Sequence, residues 1–239
     1  MTLSPKAAVA CLDWSEGPVP SRFTGLWRRL SIEFGDGSGD IDAFVVWLQT
    51  EDVFIDLRIP ARPGGRNPTG FADLTPRSGA ALAAQEGFAG RLLWTEDRAA
   101  WPRALDFRPT GVPDEGWVAR TGRVLVETGV HARYVEHWWQ AIDRAAPLAA
   151  FGRLGSGPVW ARAGEHVMFA QDRRAAPPAP GGLGSGVAAA AGDPAALAAL
   201  LDCEISYGAV DGGSSWRVAR STLPWLEGEI RALPPDLTG

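Results

Sequence analysis

Glycine and proline cut this chain, from Phe23 to Ser221, into strand-sized runs, and that punctuation constrains its fold more than any other feature. With 29 glycines and 19 prolines in 239 residues, the pattern suits many tight turns better than a bundle of long helices. The first strong run, Phe23 to Phe34, alternates Leu26, Arg28, Leu30, Ile32 and Phe34 against Trp27, Arg29, Ser31 and Glu33, the period of a half-buried strand. A turn over 35–40 leads to strands at 43–49 and 53–59, and Pro60 stops the last of these by removing a ladder donor. Residues 61–75 form a loop, and Pro76 opens a short helix to Gln85. Further strand-like runs follow at 87–95, 101–108, 115–121, 123–127, 131–139, 149–154, 158–163 and 165–170. The stretch 173–192, RRAAPPAPGGLGSGVAAAAG, lacks periodicity and is expected to be a mobile loop. Asp193 and Pro194 then start a second short helix to Leu201, and strands at 203–210 and 215–221 finish the pattern.

The expected fold is therefore all-β, an antiparallel sheet that meanders and closes into a barrel with one or two short helices. One domain over 1–239 is the simplest organisation, because the roughly 47 residues beyond the low-complexity stretch are too few for a comfortable core of their own. The alternative is two packed half-barrels split near 140–150.

Composition narrows the function classes. A net charge of −5 argues against unaided nucleic-acid binding, which needs clustered Lys and Arg. Cys11 and Cys203 have no second Cys near either, so a zinc site or CxxC pair is unsupported, and no cofactor or metal is expected. The start carries too short an apolar run for a signal peptide, and no run approaches a membrane span, which makes the cytoplasm, with reduced thiols, the expected location.

The connection between the second and third strands fixes which side chains share a face. An even-numbered loop at Glu51-Asp52 gathers Phe44, Val46 and Leu48 with Ile55, Leu57 and Ile59, and puts Val45, Trp47 and Gln49 with Phe54, Asp56 and Arg58 on the other side. An odd loop would mix Asp56 and Arg58 into the aliphatic face, so the even register is expected. It makes Trp47, Gln49, Asp56 and Arg58 either a polar corner in which Asp56 orients Arg58 towards a ligand group or a solvated strand face with an ordinary ion pair. The other concentration of titratable and aromatic groups is 127–139. Read as a strand, it places Ala132, Tyr134, Glu136 and Trp138 on one face. His131 and His137, about 20 Å apart at about 3.3 Å per residue, cannot share a metal. His166 is expected to be an isolated surface residue, and Asp13, Trp14, Glu16 and the 36–42 loop are expected at the surface.

Gly25-Leu-Trp27 at the start of the first strand resembles the Gly-x-Trp opening of lipocalin-like (calycin) β-barrels. The segments 46–50 and 54–60, with 87–90, 105–109 and 127–138, resemble a group of uncharacterised bacterial proteins and, distantly, a fungal casein-kinase-interacting protein of calycin type. The resemblance implies that Trp27 packs across the closed end of a barrel with an Arg from a late strand, Arg217 or Arg220, against it. The glycine-rich motif of heme-binding members is missing, and Arg28-Arg-Leu-Ser31 stands in its place.

The function expected from these residues is binding of a small, largely apolar or amphipathic molecule bearing a polar or anionic group, held by Trp47, Gln49, Asp56, Arg58, Tyr134, Glu136 and Trp138. A cavity enzyme (isomerase, cyclase or hydrolase) using Asp56, Tyr134 or Glu136 in proton transfer is the rival. A protein-interaction scaffold is the third reading.

Overall fold

The structure, a computed structural model, describes residues 14–61, 67–143 and 146–238; Cys11, Asp13 and part of the loop expected at 61–75 lie outside the described residues. Among the described residues, seventeen strands form two curled antiparallel sheets that together make an all-β, barrel-like fold. The first sheet contains β1 (Gly25–Phe34), β2 (Gly39–Asp40), β3 (Phe44–Gln49), β4 (Phe54–Ile59), β5 (Glu86–Gly90), β6 (Leu93–Trp94), β7 (Arg98–Ala100), β8 (Arg103–Asp106), β9 (Glu115–Thr121), β10 (Val124–Gly129) and β11 (Tyr134–Ile142). The second contains β12 (Leu148–Gly152), β13 (Val159–Ala163), β14 (His166–Gln171), β15 (Glu204–Val210), β16 (Ser215–Ser221) and β17 (Ile230–Ala232).

The expectation of one sheet closing through the last strands is corrected. The strand that returns to β1 is β11, so the first sheet runs β6-β7-β9-β10-β11-β1-β3-β4-β5-β8, while the last strands belong to a separate six-stranded meander, β12 to β17. The break falls between Ile142 and Leu148. Each sheet has an aromatic interior of its own, and between the sheets lies a third, mostly aliphatic layer. Leu26, Val46, Leu48, Ile55 and Leu57 from the first sheet meet Ala161, Met168, Ala170 and Ile205 from the second in that layer. These side chains, 0% exposed, each contribute on the order of 1 to 3 kcal/mol of transfer free energy.

Three helices cover one end of the shared layer: α1 (Pro76–Ala83), α2 (Leu183–Ala189) and α3 (Pro194–Leu201). Local chemistry starts two of them. Thr75 and Ser78 form a reciprocal capping box at α1, and the Asp193 side chain accepts from the amides of Ala195 and Ala196 at α3. Helix α2 corrects the expected loop at 173–192. Leu183 and Val187, four residues apart, bury one stripe against the core, and Gly79 of α1 lets the Val187 side chain approach closely. The run expected as one strand at 87–95 is likewise two, β5 and β6, which pair at opposite ends of the sheet order.

Candidate functional site

The β3–β4 register is the even one: Val45 pairs with Arg58, Trp47 with Asp56 and Gln49 with Phe54. Phe44, Val46, Leu48, Ile55, Leu57 and Ile59 consequently pack in the layer between the sheets, and the polar face lines the interior of the first sheet. At its closed end that interior is solid. Trp27 stacks on Trp47 with ring centres 5.6 Å apart, and Trp101 and Trp138 meet Trp47 edge-on at 5.6 and 5.9 Å. Trp47 and Gln49 belong to this packed end. The Trp47 indole N–H donates to Gln49 Oε1, and the Gln49 amide donates to the carbonyls of Thr50 and Val53, which fastens the β3–β4 turn. Gln49 is thus tied to Trp47 and the turn rather than to Asp56 and Arg58, with which it was expected to share a polar corner.

Arg217 and Arg220 do not reach Trp27, because the strand that bears them lies in the second sheet. Arg217 pairs with Asp211, and the Arg220 guanidinium lies 5.6 Å from the Phe44 ring centre. The cation over Trp27 is Arg120 of β9, at 5.4 Å, which also donates to Gln140 Oε1.

Towards the other end of the same interior the aromatic filling gives way to a cavity of about 520 Å³. Arg58, Tyr134 and Glu136 of the expected site residues line it, whereas Asp56 stands behind Arg58 and Trp138 beneath it, the ring centre 5.8 Å from the guanidinium. Asp56 is 2% exposed. Arg58 Nε donates to Asp56 Oδ1 at 2.9 Å and Nη1 to Glu136 Oε1 at 3.3 Å, while the Phe88 ring centre lies 5.2 Å away. Arg29, also at the cavity, donates to the same Glu136 oxygen at 2.9 Å and to Asp40 Oδ2 at 2.8 Å. Arg103 completes the set, donating to Asp106 at 3.1 Å and to Asp114 at 2.8 Å. Each of these three guanidiniums is therefore bracketed by two carboxylates.

Arg29 follows Trp27 on the inward face, and a backbone irregularity brings Ile32 to the same side. Between Arg29 and Ser31 the β1–β11 register shifts, so that Arg29 and Ile32, three positions apart, both line the cavity instead of facing opposite ways. The simple alternation read for 26–34 fails at that point. Asp40, expected at the surface with its loop, is drawn to Arg29 through the β1–β2 pairing.

Behind Tyr134 lies a carboxyl that the sequence did not single out. Glu127 of β10 stands directly opposite Glu136 in the ladder and is 3% exposed. The Tyr134 hydroxyl donates to Glu127 Oε1 at 2.6 Å. Two glycines facing each other across β9 and β10 make the room. A Cβ at Gly116 would lie 2.6 Å from Glu127 Cγ, and one at Gly129 would lie 2.3 Å from Tyr134 Cε1. Burial, reinforced by Glu136, pushes Glu127 well above the usual carboxylate range, and burial raises Tyr134 too. Burial also lifts Asp56 to about 6, against the pull of Arg58. For Arg58 burial works against the charge, but Asp56 and Glu136 outweigh it and raise the guanidinium well above its ordinary value.

Elsewhere, His166 is neither isolated nor fully exposed: its ring stacks on Tyr207 and its Nδ1 lies 2.8 Å from the Tyr207 hydroxyl. Burial pushes the Cys203 thiol up to about 12, which removes it as a nucleophile. Among the described residues no group of three His, Cys, Asp or Glu side chains is placed to hold a metal ion, and no helix is long and apolar enough to cross a membrane.

The fold and cavity define an all-β protein of curled, barrel-like sheets with a small-molecule-sized pocket at the mouth of one of them. No protein-family model and no curated protein matches the chain. Among solved structures, the crystal structure of an uncharacterized protein from Saccharomyces cerevisiae is similar to it, with a TM-score of 0.54 and 11% identity, covering 82% of this chain and 84% of the yeast chain. That likeness is one of fold alone.

Proposed function

We propose that the protein binds a small amphipathic molecule in the cavity at the mouth of the first sheet. The observation that carries this reading is the cavity itself: about 520 Å³, within the range of small-molecule sites, with apolar Ile32, Phe34, Val112 and Pro113 on its wall beside the charged groups. Arg58, Tyr134 and Glu136 are the contacts for the polar end, and Asp56 and Trp138 hold Arg58 in place. Trp47 and Gln49 support the site from the packed end without lining it. A panel of metabolites and short-chain lipids scored by melting temperature tests the reading. At least one compound should raise the melting temperature; a panel without a single binder would remove the reading.

One observation favours catalysis as a second reading. Glu127, held towards its protonated form behind the Tyr134 hydroxyl, is a proton reservoir one residue back from the cavity wall. Binding is preferred, because Glu136 Oε1 is already engaged by two guanidiniums. We further propose a calycin-type relationship for the first sheet, supported by Trp27 at its packed end with the Arg120 cation over the ring. A cytoplasmic location accords with the free, buried Cys203.

A further inference from the structure

We propose that the ligand is an organic cation, with the amine of an amphipathic molecule taken up beside Glu136 and Asp114 and its apolar part against Ile32, Phe34 and Val112. The inference rests on the binding reading above and adds the charge of the ligand. Two independent observations lead to it.

The first is the charge balance. Asp40, Glu86, Asp114 and Glu136 line the cavity against Arg29, Arg58 and Arg103. Asp56 and Asp106 stand behind Arg58 and Arg103, so every one of these guanidiniums already contacts two carboxylates. An anion entering here would have to displace a carboxylate from a partly buried arginine and would meet the remaining carboxylates as like charges. A cation meets the opposite field. Asp114 lies close enough to act on Asp56, Arg58, Glu127 and Tyr134 together, so its charge is felt along the whole polar wall.

The second is an unused acceptor. Glu136 is 1% exposed, and both of its guanidinium partners donate to Oε1. Its Oε2 has no donor among the described residues. A buried carboxylate oxygen without a donor costs about 1 to 3 kcal/mol or more, and an ammonium group, with three donors and no acceptor, is the complement of that oxygen.

Titration calorimetry with three probes of one chain length, n-octylamine, 1-octanol and octanoate, tests the charge separately from the cavity. The expected order is the amine tightest, the alcohol at least tenfold weaker and the octanoate weakest, with the amine's advantage shrinking as salt rises. Glu136→Gln, which keeps the shape and an acceptor oxygen, should bring the amine down to the alcohol and close the gap between the two probes. Asp114→Asn, on the rim, should do the same in part and serves if the Glu136 variant does not fold. Octanoate binding as tightly as the amine would overturn the cation proposal and leave the binding cavity standing. Equal amine affinity in the wild type and both variants would overturn it as well. If none of the three probes bound, both the proposal and the binding reading would fall.

Discussion

The two curled sheets solve the same packing problem and end differently. Each fills its interior with indole and phenyl rings: Trp27, Trp47, Trp101 and Trp138 with Phe54 and Phe88 in the first, and Trp160, Phe169 and Trp216 with Val218 in the second. The second interior is then plugged by the chain itself, because Leu233 and Leu237 pack into it and the Arg162 guanidinium donates to the Leu237 carbonyl. Among the described residues the first has no such plug, and beyond its aromatic filling it carries the charged network and the cavity. A curled sheet with an aromatic interior is thus not in itself a binding site. What distinguishes the two is whether the polar face continues past the rings into open space.

The largest effect that separates the interiors from the surface is expected at the rings. Trp47→Ala, which removes contacts to three other indoles, should cost about 3 to 5 kcal/mol in denaturant unfolding; a loss below about 1 kcal/mol would mean that the first interior is not close-packed. Asp56→Ala should cost about 3 kcal/mol, since it strips one of two carboxylates from a largely buried guanidinium, whereas a solvated pair would lose under about 1 kcal/mol. Leu237→Ala, which opens the second interior, should cost about 2 kcal/mol and should leave any ligand affinity of the first sheet untouched. A change in that affinity would mean that the two interiors are energetically coupled rather than independent.

Smaller still is a pH signature confined to the first interior. Asp56 sits at about 6 in the folded protein against 3.8 for the unperturbed group. As pH rises the unfolded chain releases this proton first, so the stability contribution present below pH 3.8 declines until about pH 6. In Asp56→Asn that part of the decline should vanish, and an unchanged slope of stability against pH would show that Asp56 is not desolvated. Tyr134→Phe should be milder, about 1 kcal/mol, because it takes one hydrogen bond from the neutral Glu127 carboxyl.

How much of this was legible in the sequence depended on whether the information was local. Strand limits at 115–121 and 215–221, the helix starts at Pro76 and Pro194 and the gathering of Trp47, Gln49, Asp56 and Arg58 on one face followed from turn chemistry, caps and loop parity, whereas which way that face points did not. The return of β11 to β1, and with it the meeting of Arg58 and Glu136, depends on pairing residues a hundred or more positions apart in sequence, which no local pattern encodes. Arg29 was missed because its carboxylate partners, Glu136 and Asp40, come from other strands. Glu127 was missed because its significance lies in the residue opposite, Glu136, and in Gly116 and Gly129, which look like ordinary turn punctuation until the ladder sets them against Glu127 and Tyr134.

The contrast between an open interior and a plugged one has a direct spectroscopic test. Trp138, beneath Arg58 in the first interior, and Trp216, in the second, both carry a buried indole N–H without a hydrogen-bond acceptor among the described residues, so each should give a distinct proton resonance sensitive to its surroundings. Titration of the isotope-labelled protein with n-octylamine, with the two signals assigned by Trp138→Phe and Trp216→Phe, should shift the Trp138 resonance saturably and leave that of Trp216 in place. Movement of the Trp216 signal instead, or of neither, would contradict a ligand site at the mouth of the first sheet.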